Sequence, residues 1–211
     1  MKLNKVLALA LSGVMAVSML AGCSGNSGNG GQEGEGEQTP ATGIVAAVNN
    51  GQDADNKVKI NFAANTTLDS QLARALAASG EDATVTDVRS KIVDMIDDSV
   101  AIDGSNVGDV LNPHTNAVDD KGEQIVGVAV KVCSDNFSET AAQNEVVKYV
   151  NDLLDGLKID RSTGKVVGDE FVAYGYSADV SMTQVTKLDG TTRYYAAIVI
   201  TVDCTVETVT V

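Results

Sequence analysis

The chain has 211 residues, with 29 acidic and 15 basic side chains, a formal charge of −14, one His, three Cys and no Trp. So acidic a chain is unsuited to nucleic acid or anionic lipid surfaces. Three Phe, five Tyr and no Trp leave little for the aromatic platforms that stack sugars or single-stranded bases.

The first segment is Met1-Lys2-Leu3-Asn4-Lys5, two bases and no acid, followed by a run from Val6 to Leu20 broken only by Ser12, Gly13 and Ser18. Its length falls short of the roughly 20 residues a spanning helix requires, so it reads as the n- and h-regions of an export signal. The run ends in Leu20-Ala21-Gly22-Cys23. This resembles the lipobox of bacterial lipoproteins at all four positions, over only the first 23 residues of the chain. The resemblance implies cleavage between Gly22 and Cys23, a diacylglycerol on the Cys23 sulfur, and an extracytoplasmic domain on the cell membrane. A thiolate suits such alkylation, and two acyl chains suffice for stable anchoring. Loss of residues 1–22 would leave 13 basic residues against 29 acidic ones.

Residues 23–43 follow as a lipidated Cys and tether. Ser24 to Thr39 carries no hydrophobic side chain and ends in Glu33-Gly34-Glu35-Gly36-Glu37, a composition that cannot offset its ordering entropy. As a flexible coil it would span roughly 20 to 25 Å. Residues 44–211 are then expected to form one α+β domain, beginning with Ile44 to Val48.

Val58, Ile60 and Phe62 alternate with Lys59 and Asn61, the pattern of a half-buried strand. Leu68, Leu72, Ala75 and Leu76 then recur at helical spacing, with Thr66 or Thr67 as cap and Gly80 as stop. A second helix carries the stripe Val85, Val88, Ile92, Met95 and Ile96 behind a Thr84-x-x-Asp87 capping box. The stretch 103–124 is rich in Gly, Asn and Asp, and a connection this long inside a domain is the first place to seek a binding surface. Ile125 to Val132 is apolar at both parities, which predicts a central strand. A helix over 139–155 buries Val146, Val150, Leu153 and Leu157, with Ser138 as cap and Gly156 as stop.

The last two strands carry apolar side chains at even positions, Val172 to Met182 and Ala196 to Val206. Both faces stay together only if even pairs with even. A three-residue loop, Leu188-Asp189-Gly190, with Gly190 left-handed as a G1 bulge, pairs Lys187 with Thr191 and Val180 with Ile198. The expected architecture is an antiparallel-dominated sheet, about three helices packed on one face, and a long C-terminal hairpin. Thr201, Asp203, Thr205 and Glu207 would make the other face wet.

Candidate chemistry is sparse. Cys133 and Cys204 could form a disulfide in an oxidising compartment, but strand parity puts them on opposite faces and favours two buried thiols. His114 follows Pro113 in a turn-like stretch, with no G-x-S-x-G partner. Asp160-x-Ser162-x-Gly164 approaches a calcium loop without its Gly at position six, and Asp119 with Asp120 is a second weak calcium pair. No catalytic residue, cofactor or firm metal site is expected. The sequence therefore favours a non-catalytic binding or interaction domain with an unknown protein or small-molecule partner. The alternatives are an extracytoplasmic hydrolase using acids of 103–124, and an accessory subunit of an envelope complex.

Overall fold

In a computed structural model, residues 43–80, 82–111, 124–157, 165–167 and 170–208 are described, with side chains given over 43–80, 82–111, 124–157 and 174–203. The hairpin dominates: β5 (Glu170–Thr186) and β6 (Thr192–Thr208) pair antiparallel, Val180 opposite Ile198. At its tip Gly190 has φ +86°, Lys187 N–H donates to Thr191 O at 2.8 Å, and Gly190 N–H donates to Lys187 O at 3.0 Å. The even-to-even register is thus kept by one left-handed glycine.

Around the hairpin stand β1 (Phe62–Ala63), β2 (Ser99–Ala101), β3 (Gln124–Val132) and β4 (Lys165–Val167). The order is β1-β5-β6-β3-β2, with β4 beside β5. β1 runs parallel to β5 and β2 parallel to β3, while the other pairs are antiparallel. The sheet is therefore mixed, a correction to the antiparallel-dominated expectation. Neither parallel pair is a hairpin: β2 reaches β3 by way of α4 and a connection outside the described residues, and β1 lies beside β5, a strand far along the chain.

Five helices are described: α1 (Ile44–Asn50), α2 (Thr66–Ser79), α3 (Val85–Val93), α4 (Val107–Leu111) and α5 (Glu139–Gly156). The short α1 and α4 are the two additional to the about three expected. The helices cover both faces, a second correction. α1, α4 and α5 enclose a core with Ala129, Tyr174, Ala178, Val180 and the even positions Ala196 to Val202. α2 and α3 enclose another with Val128, Val130, Tyr195, Ala197 and Val199. The wet face was inferred from Thr201 and Asp203, half-buried and exposed respectively, but residues 195, 197 and 199 lie on that same side and need a cover. β3, apolar at both parities, is interior between β6 and β2.

Local signals explain the helix ends. Ser138 Oγ accepts from Ala141 N–H at 3.3 Å, and Thr84 with Asp87 forms the capping box. α2 starts one residue earlier than either threonine cap requires, since Asn65 Oδ1 accepts from Thr67 and Leu68 N–H. α3 stops at Val93, not 96, yet Met95 and Ile96 still pack on its core. Gly156 is the last residue of α5 and not a left-handed stop. Its value is close approach, because a Cβ there would collide with Val107 Cγ1.

Val58, Ile60 and Phe62 are buried and Lys59 and Asn61 exposed, as the alternation implies, but only Phe62–Ala63 join the ladder. The outward backbone of this segment goes to side chains. Asn49 donates to Phe62 O at 2.9 Å and accepts from Phe62 N–H at 2.8 Å. Gln52 donates to Ile60 O at 2.6 Å and accepts from Ile60 N–H at 3.2 Å. Two carboxamides take the place of a neighbouring strand. They are held from behind by Asn151 of α5, which bonds Gly51 O, Asp53 N–H and Asn56 Nδ2.

Candidate binding surface

The opposite edge of the sheet, β2, sits at the start of the 103–124 stretch that the sequence singles out. Its surroundings converge from three elements. From α3, Arg89 Nη1 donates to Ile102 O at 3.0 Å and meets Asp103 Oδ2 at 3.3 Å. From the turn after β2, Asp103 Oδ1 accepts from Ser105 N–H at 2.9 Å and from the Ser105 hydroxyl, while Asn106 Oδ1 accepts from Asp103 N–H at 2.8 Å. From α5, Tyr149 lies close enough for its phenol to feel the Asp103 charge.

These bonds set the ionisation. The Ser105 hydroxyl and N–H, assisted by Arg89, hold the Asp103 carboxyl below its usual range. Burial, with the Asp103 charge adding to it, pushes the Tyr149 phenol up. At neutral pH Asp103 stays an anion and Tyr149 neutral, so neither exchanges a proton there. The cluster fixes the shape of the turn and braces the end of β2 against α3.

On that brace β2 presents Val100 and Ala101 to solvent, Val100 with 41% of its surface exposed. Among the described residues Leu188, at the hairpin tip, is the other exposed large apolar side chain. The first core runs beneath, where Ile102 and Leu111 close over Gly127 so tightly that a Cβ at Gly127 would meet both. Exposed Asp94, Asp97 and Asp98 precede β2 and exposed Asp109 follows it.

Comparison with known proteins finds no matching family model, no similar curated protein and no similar solved structure.

Of the residues singled out from sequence, Gly22, Cys23, His114, Asp119, Asp120, Asp160 and Ser162 lie outside the described residues. Cys204 is described only in its backbone, on β6 across from Tyr174. Cys133 is a buried free thiol whose Sγ lies 3.7 Å from Ala142 O, and burial pushes it up to about 11. The parity argument for these two cysteines is corrected. β3 pairs odd with even positions of β6, Val128 with Val199 and Ala129 with Ile198, so Cys133 belongs to the same face as Cys204. Distance separates them instead. Cys133 N–H bonds Tyr194 O, and the ten further residues to Cys204 at about 3.3 Å each put it roughly 33 Å away, far beyond the span of a disulfide.

No group of three or more His, Cys, Asp or Glu side chains able to hold a metal occurs among the described residues. No described helix is long and apolar enough to cross a membrane. Arg89 and the β2 edge escaped the sequence reading. The available signal was Val100 and Ile102 alternating with Ser99 and Ala101 just after Asp97-Asp98, a run too short to separate from loop.

Proposed function

We propose that the chain is a lipid-anchored extracytoplasmic bacterial lipoprotein whose α+β domain is a non-catalytic binding or interaction module. The observation that carries the anchoring is Leu20-Ala21-Gly22-Cys23 placed directly after a short apolar run and before a Gly-, Ser- and Glu-rich segment. Cys23 accepts the diacylglycerol, Gly22-Cys23 is the cleaved bond, and the domain is held off the bilayer by the tether. The interaction reading is supported by an exposed sheet edge braced by the Arg89–Asp103 pair and the Ser105 and Asn106 bonds of the following turn.

Mass spectrometry of the purified protein tests the anchor: the expected N-terminus is diacylglyceryl Cys23, and Cys23→Ser should shift the protein out of the membrane fraction. A Cys23→Ser chain that stays with the membrane, or an unmodified Cys23, would overturn it.

A further inference from the structure

Resting on the reading of the domain as an interaction module, we propose that the outer edge of β2 accepts an extended, Lys- or Arg-bearing segment of a partner polypeptide as an added strand. The backbone bonds define the socket. β2 and β3 are parallel with Val100 opposite Gly127, and Ile102 N–H donates to Val128 O at 2.9 Å. This pattern turns the N–H and C=O of Val100 toward β3 and those of Ser99 and Ala101 outward.

Two of the four outward groups are already engaged. Ser99 N–H donates to Ile96 O at 3.3 Å, and Ala101 O accepts from Asn106 Nδ2 at 3.3 Å. Ser99 C=O and Ala101 N–H have no partner among the described residues. These two flank Val100, and one incoming residue opposite Val100 satisfies both, giving its N–H to Ser99 O and receiving Ala101 N–H on its C=O. That is the parallel ladder. An antiparallel strand can use the same two groups through residues two apart, so the free Ser99 C=O and Ala101 N–H fix the register on Val100 and leave the direction open. The exposed Val100 side chain adds an apolar contact for that same residue.

Charge selects the occupant. Exposed Asp97 and Asp98 stand immediately before the edge and Asp103 just after it, with exposed Asp94 and Asp109 a few residues to either side, and Arg89 is committed to Asp103 and Ile102 O. Against these acids stands Lys91. A second copy would bring its own acids to the same place, whereas a segment alternating apolar and basic residues is attracted there. Main-chain bonds would give such a complex its affinity, and the acids its preference.

The test uses the full chain and two blocked, fluorescently labelled peptides of about ten residues, the length of a long strand, one alternating Val with Lys and the other Val with Glu. Anisotropy should show the Lys peptide binding at least tenfold more tightly, with affinity falling as salt rises. Ala101→Pro removes the outward N–H without touching the β3 ladder, and should weaken the Lys peptide about tenfold, as loss of one hydrogen bond implies. Asp97→Asn with Asp98→Asn should weaken it several-fold and flatten the salt dependence, and this pair decides alone should Ala101→Pro fail to fold. No binding of the Lys peptide, equal binding of the Glu peptide, or indifference to both variants would overturn the proposal. So would a concentration-dependent dimer abolished by Ala101→Pro, which would assign the edge to a second copy. Peptide binding is read in solution and does not depend on the lipid, so failure here and failure at Cys23 are distinguishable.

Discussion

The two edges of the sheet carry the same backbone groups and treat them in opposite ways. At β1 the outward N–H and C=O of Ile60 and Phe62 are all taken by Asn49 and Gln52. At β2 the helix beside the edge, α3, sends Arg89 to Ile102 O, and the edge itself keeps a carbonyl and an amide turned to solvent. An unpaired edge invites aggregation, and proteins protect such edges with covers, charges or very short strands. The closed side shows that two amide side chains, one at the end of α1 and one just beyond it, suffice as a cover.

The largest expected effect comes from opening the closed edge. Asn49→Leu with Gln52→Leu leaves four partly buried backbone groups without partners and should cost about 4 kcal/mol in urea unfolding, with new concentration-dependent association by light scattering. A smaller loss with no association would mean that water replaces the carboxamides, and the contrast would weaken.

Next in size is a proline pair on β2. Val100→Pro removes an N–H that faces β3 and should cost about 3 kcal/mol, while Ala101→Pro, one residue on, should cost under about 1 kcal/mol. Equal losses would show that the assignment of inward and outward groups is wrong.

The smallest effect concerns pH. Asp103 is held below its usual range, so its folded pKa lies under the unfolded value of about 3.9. Its contribution is present above about pH 4 and drains away as pH falls through the lowered folded value. Asp103→Asn should therefore flatten the fall of the urea midpoint below about pH 4. An unchanged acid limb would remove Asp103 from the bracing of β2.

Where the sequence was legible, one local rule acted alone. The hairpin register followed from even positions and one glycine, the α3 start from Thr84 and Asp87, and the buried stripe of α5 from its spacing. What stayed hidden depended on partners distant in the chain. Tyr195, Ala197 and Val199 looked like one half of a polar face until α2 and α3 were found over them. Val100 sits in a three-residue strand whose identity comes from β3, and Arg89 reads as an ordinary surface base until Asp103 is beside it. The cysteine parity failed because facing depends on whether two strands pair odd with even, which no single strand records.

The Asn49 and Gln52 cover also sets a valence. A sheet with two bare edges can link head to tail without end, and the carboxamides of Asn49 and Gln52 withhold the N–H and C=O of Ile60 and Phe62 from such a linkage. A strand added on β2 would therefore find no matching free backbone at Ile60 and Phe62 on which to repeat.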